Sequence, residues 1–177
     1  MTNEILTALI TAFVTLLAVY LTNEANYKKL LLQRDLEREL KLKDIHREKL
    51  EELYCLSNSW IKNHVANWSP YYQVMLGELE YNDALDLTIK HFEKNTLDYN
   101  RIDMLISLYF NSLKNEFEIL TKARDSVNKI WSEHKREYKK GNIDGLEFAK
   151  PFLDEQKSFV SHSKVFLNAV SNFKNTV

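Results

Sequence analysis

From Ile5 to Thr22 no position carries a charge, and neither proline nor glycine interrupts the run. At about 1.5 Å per residue, 18 residues make roughly 27 Å of helix, close to the hydrocarbon thickness of a bilayer. The pattern predicts a retained transmembrane anchor over residues 1–23. A cleaved secretory signal is the main rival. It calls for a basic start and a small-x-small cleavage site, whereas Glu4 lies at the start here and Thr22, Asn23 and Glu24 close the run. A buried or amphipathic soluble helix is the remaining alternative.

Past the run, apolar residues recur at three- and four-residue steps without proline or glycine as far as Trp68. Leu32, Leu36 and Leu40, then Leu50, Leu53, Tyr54, Trp60 and Ile61, mark one stripe among i,i+4 charge pairs such as Glu37 with Lys41. A long helix running on from the span is expected. Its mostly charged part, 24–45, reads as a helical stalk, and whether it forms a coiled coil stays open because the heptads drift out of phase. The first break is expected at Asn67-Trp-Ser-Pro-Tyr-Tyr, where Ser69 can cap and Pro70 can occupy a first helical turn. A helix from Tyr71 to about Lys94 should follow, interrupted near Gly77 or Asn82, and residues 95–100 punctuate the chain again.

From Arg101 to Lys140 the stripe Ile102, Leu105, Leu108, Tyr109, Leu113, Phe117, Leu120, Ile130 and Trp131 predicts one long amphipathic helix, closed by Gly141 in a left-handed cap. After Pro151 a last helix carries Phe152, Phe159, Val160, Phe166, Leu167, Val170 and Phe173. The expected fold is all-α: a single N-terminal transmembrane helix, a helical stalk over 24–45, and a four- or five-helix bundle over 46–177.

Composition narrows the class. The chain has only three glycines and two prolines, which favours long helices, and a formal net charge of −1 gives no general basic footprint for nucleic acid. Cys55 is the sole cysteine, so no intrachain disulfide forms, in keeping with a reducing compartment; between Tyr54 and Leu56 it reads as a core thiol. Ahead of the span stands only the α-amine, while Lys28, Lys29, Arg34 and Arg38 follow it. Basic flanks stay on the cytoplasmic side, which predicts a single-pass protein with its C-terminal body in the cytoplasm and Tyr20 and Tyr27 near the headgroups; in bacteria this means the inner membrane.

The chain has no glycine-rich phosphate loop, HExxH, paired CxxC or GxSxG. Its five histidines, His46, His64, His91, His134 and His162, lack ligand spacing, so neither metal nor cofactor is expected. One short constellation remains, Lys157-Ser-Phe-Val-Ser-His162. Helical HEPN nucleases use an arginine, a polar residue and a histidine four to six positions beyond the arginine, the cation steadying a phosphate while the histidine moves protons. Lys157 replaces the arginine here, and a lysine is a single point charge rather than a bidentate fork. Five residues apart on a helix, the two side chains also point about 140° from one another. Relic, structural use, coincidence and an active ribonuclease site stay open.

With the span Ile5–Thr22, the all-helical body and Lys157-to-His162 together, the layout resembles the small membrane-anchored accessory proteins of type VI-B CRISPR systems. That resemblance implies a divergent HEPN-like bundle and a ring-shaped homo-oligomer forming a membrane pore. It also implies a functional link to an RNA-guided, RNA-cutting nuclease, whose antiviral defence the pore strengthens by depolarising the inner membrane. Lys157 and His162 are carried over only as a degenerate site, so the chain is not expected to be an enzyme.

Thr7, Thr11 and Thr15 recur every fourth residue along one face of the span, with Ala8 and Ala12 beside them. Such a face lines a lumen or packs against another membrane helix. The plainer reading is that each hydroxyl bonds back to its own i−4 carbonyl. Besides a pore, a membrane-tethered HEPN-type ribonuclease and a non-catalytic scaffold remain as alternatives. The scaffold would recruit a partner through exposed aromatics among Trp60, Trp68 and Tyr71, and direct RNA binding is left open.

Overall fold

The computed structural model describes residues 2–94 and 98–173, with backbone alone at residue 2 and at 92–94. Among the described residues five α-helices follow one another: α1 (Thr2–Met75), α2 (Tyr81–Lys94), α3 (Tyr99–Tyr109), α4 (Lys114–Lys139) and α5 (Leu146–Phe173), with a 3₁₀ turn at Asn111–Leu113. Among the described residues there is no strand. The chain divides into two compact units, Met1–Ile45 and His46–Val177.

Within the first unit α1 is the whole structure. Its apolar window is entirely unburied, with Phe13 68% and Leu16 69% exposed. This one helix is long and apolar enough to cross a membrane.

Three corrections to the expected elements concern the second unit. Pro70 does not end α1; the helix carries it internally and runs on to Met75. A mid-helix proline costs one backbone hydrogen bond, but the turn that follows buries Tyr71, Val74 and Met75, and that packing holds it helical. The stop comes instead at Gly77, whose φ of 73° only glycine adopts without strain. Glu78 N–H donates to Gln73 O (2.9 Å) and Gly77 N–H to Val74 O (3.0 Å), the paired bonds of a Schellman cap. The punctuation expected at 95–100 falls partly on 95–97, outside the described residues.

The single helix expected from Arg101 to Lys140 is broken at Phe110, whose backbone turns out of the helix (φ −132°, ψ 45°). The break drives its ring fully into the core, 4.9 Å from His46 and 5.4 Å from Phe173. Asp98 caps the preceding helix by accepting from Arg101 N–H at 3.2 Å. Gly141 does end α4, with φ 95°. The last helix starts at Leu146, ahead of Pro151, helped by Asp144 Oδ1 accepting from Leu146 N–H. Pro151 and Glu147 are exposed, so the carbonyl that the proline leaves unpaired belongs to a residue on the solvent side of the helix.

The core of the second unit follows from α1's apolar steps at Leu53, Trp60 and Trp68, which meet Phe110, Phe117, Phe152, Phe159 and Phe166. Each ring withdrawn from water stabilises the fold by about 1.5–3 kcal/mol. A smaller cluster joins Tyr71, Val74 and Ala84 to Tyr81, Trp131 and Tyr138.

Candidate functional site

On the span, Thr7 Oγ1 donates to Asn3 O (2.9 Å), Thr11 to Thr7 O (2.9 Å), Thr15 to Thr11 O (2.8 Å) and Thr22 to Ala18 O (2.8 Å). Each hydroxyl proton is therefore spent inside the helix, which lets the stripe enter lipid cheaply. The oxygens keep unused acceptor capacity and stay on the exposed face. Ala8, Thr11, Thr15, Ala18, Thr22 and Ala25 follow one another at steps of three and four, a seam of small side chains that admits a neighbouring helix closely. Leu9, Ile10, Phe13 and Leu16 carry the bulk of the span elsewhere and surround a shallow apolar hollow.

Lys157 and His162 are both on α5, but they do not share a site. Lys157 is exposed, its Nζ 3.7 Å from Asp154 Oδ1, and it lines a groove of about 290 Å³ with Val65, Gln156, Ser161 and Lys164. His162 is half-buried and is not among the residues around that groove. The helical offset between the two explains this: positions 157, 161 and 164 share a face, and 162 does not. What the groove gathers is two ammoniums, a hydroxyl and an amide, a set without a proton-transfer group.

Two other expectations are overturned. Cys55 is exposed rather than a core thiol, on the rim of an apolar groove with Leu50, Tyr54 and Val170. The core stripe uses Leu53 and Ser57 of this turn, and Cys55 falls between them on the outward face. The aromatics assigned to a scaffold's binding surface are buried, with Trp60, Trp68 and Tyr71 exposed by only 5%, 3% and 3%.

Those buried aromatics organise a polar cluster that no short motif signals. His64 sits 4.7 Å from the Trp60 ring and 5.4 Å from Trp68. Arg124 of α4 lies over Trp60 (5.6 Å) and Tyr99 (5.7 Å), with its Nε and Nη2 bonded to Asp125 Oδ1. Trp68 Nε1 donates to Asn128 Oδ1 at 3.0 Å. Burial, aided by the Arg124 charge, pushes the His64 imidazole down to about 4, so it is neutral at physiological pH. The repeat of 60, 64 and 68 on one face of α1 was readable in the sequence; the partner Arg124, on another helix, was not.

Among the described residues no group of three or more His, Cys, Asp or Glu side chains is placed to hold a metal ion. No protein-family model matches this chain, and no curated protein or solved structure matches it.

Proposed function

We propose that this chain is a single-pass membrane effector that self-associates through its span into a pore, with the helical unit His46–Val177 serving as a cytoplasmic assembly platform. The observation that carries the reading is the threonine and alanine seam on an otherwise bulky apolar helix. One helix cannot enclose water, so any conduction requires several copies, and a narrow face of small, oxygen-bearing side chains is the part of this helix suited to lining a lumen. Lys28, Lys29, Arg34 and Arg38 after the span favour an orientation with the bundle inside, and the bacterial inner membrane follows from the family resemblance. The resemblance to type VI-B CRISPR accessory proteins supplies the setting: depolarisation that reinforces defence by an RNA-guided nuclease, with a divergent HEPN-like bundle as the platform. All-helical content supports that bundle only in outline.

A tethered ribonuclease is less well supported, since Lys157 and His162 do not meet in the groove. The test is dye-reported membrane potential in bacteria expressing the chain, alone and beside a triggered RNA-targeting nuclease. Depolarisation by the wild type that is lost in Thr11→Leu, with insertion retained, is the expected result. An unchanged potential with the protein in the membrane overturns the pore.

A further inference from the structure

A cavity of about 450 Å³ separates α2 from α4, lined by Tyr81, Asn82 and Leu85 on one side and Lys135, Tyr138 and Lys139 on the other. That volume falls within the range of small-molecule sites. Lys135 and Lys139 stand one turn apart on α4, and neither makes an ion pair among the described residues. Lys135 Nζ lies 5.5 Å over the Trp131 ring, which keeps one ammonium against the protein wall. The Tyr81 hydroxyl and the Trp131 indole nitrogen are both buried, and the indole N–H lies close enough to the phenol oxygen to oppose the rise in its pKa. Burial pushes the Tyr81 phenol up to about 12, so it remains a donor across the physiological range. The Tyr81 and Tyr138 rings stand 5.2 Å apart at the cavity. The Tyr138 hydroxyl is spent on Glu80 Oε2 at 3.1 Å, which fixes one carboxylate beside a lining residue.

Two unpaired lysines one turn apart on the cavity wall match a dianion better than a single carboxylate, and lysine is a common phosphate ligand. We propose that the α2–α4 cavity binds a small soluble phosphomonoester carrying a flat ring, its phosphate between Lys135 and Lys139 and its ring against Tyr81 and Tyr138. The site lies wholly within the unit His46–Val177, so it stands or falls independently of conduction by the span.

The test is calorimetric titration of the full chain, in phosphatidylcholine nanodiscs, with AMP, adenosine and inorganic phosphate. Saturable AMP binding is expected, weakened by about tenfold or more, a loss of about 1.4 kcal/mol, in the Lys135→Met, Lys139→Met double variant. Both lysines are at the cavity mouth rather than in the core, and circular dichroism checks that the variant folds. Glu80→Gln removes the carboxylate that opposes an anion, so AMP should bind more tightly to it; a gain cannot come from misfolding. Adenosine, lacking the dianion, should not bind. Unchanged AMP affinity in the double variant, equal binding of adenosine, or no saturation by AMP up to about 10 mM overturns the proposal. Discs doped with phosphatidic acid form the lipid arm: if they abolish AMP binding, the site belongs to a lipid phosphate and the soluble ligand is overturned.

Discussion

Arg101 Nε lies 2.5 Å from Glu52 Oε1, an ion pair that ties the start of α3 to α1, and Lys49 Nζ reaches the same carboxylate at 3.0 Å. The guanidinium bond first, and the ammonium second, hold the Glu52 carboxyl down at about 2, against an ordinary value of 4.5. A carboxyl depressed in the folded state stabilises the fold above its unfolded pKa and loses that contribution as pH falls through the folded one. Wild-type stability should therefore drop between about pH 4.5 and pH 2 in part through this group, and Glu52→Gln should flatten the slope there. Urea titrations at several pH values within that window measure it, and parallel slopes for the two proteins would count against the assignment.

Two histidines add a second acid-sensitive step. His64 is held at about 4 by burial and by Arg124, and His134, fully buried with both ring nitrogens unpartnered, is also lowered by burial. The folded state disfavours both imidazolium forms, so their contribution is whole above about pH 6.5 and declines below it, for His64 down to about pH 4. His64→Gln should make the second unit less sensitive to pH across that interval, read as a smaller shift in melting temperature between pH 7 and pH 5. An unaltered shift would mean that His64 takes up its proton equally readily in the folded and unfolded states.

The α4–α5 connection depends on the lack of a side chain at Gly145. A Cβ there would come within 2.7 Å of both His134 Nε2 and Met75 Cα, and 3.0 Å from Met75 O. The histidine can shift but the Met75 backbone cannot, so Gly145→Ala should cost about 1–3 kcal/mol, the range for overpacking. A second substitution that shrinks His134 should not restore the loss. Thermal melts of the single and double variants decide this, and full rescue in the double variant would place the clash on the imidazole alone.

Trp68 is buried, and its Nε1 donates to Asn128 Oδ1 across α1 and α4. Removing the acceptor leaves an indole N–H buried without a partner, a penalty of about 1–3 kcal/mol. Asn128→Ala should lower stability by that amount, whereas Asn128→Asp, which keeps an acceptor, should cost less. Equal losses in the two would show that water replaces the amide.

The elements with uninterrupted three-four periodicity were legible in the sequence: the apolar span, the face of α1 through Leu53 and Trp60, and the helix end at Gly141, whereas Gly77 was legible only as one of two places for an interruption. Prolines misled, because Pro70 is held inside α1 by the burial of Tyr71, Val74 and Met75, and Pro151 faces water within α5. Phe110 misled in the opposite sense: its position fits a continuous helix, and only the tertiary pocket formed with His46 and Phe173 explains the break. The Lys157-to-His162 spacing was visible, but the side chains that gather around Lys157, Gln156 and Lys164 among them, do so by helical geometry rather than by motif. Clusters made from distant helices, such as His64 with Arg124 or Tyr81 with Lys135, leave no local trace.

Thr11 separates the role of size from that of the hydroxyl on the span. Its Oγ1 donates to Thr7 O and its backbone carbonyl accepts from Thr15, so it is the middle link of the stripe. Thr11→Val keeps the branched shape and removes the oxygen; Thr11→Leu adds bulk to the small-residue seam. If neighbouring copies meet along this face, Leu should disrupt both assembly and depolarisation, because close helix approach in a membrane depends on small residues. Val should leave assembly intact and lower the depolarisation, since a lumen then loses one ring of acceptor oxygens. Crosslinking in isolated membranes reports assembly, and the potential dye reports conduction. Two variants that behave alike in both assays, each indistinguishable from wild type, would assign the hydroxyls to intrahelical bonding alone and take the seam out of the pore.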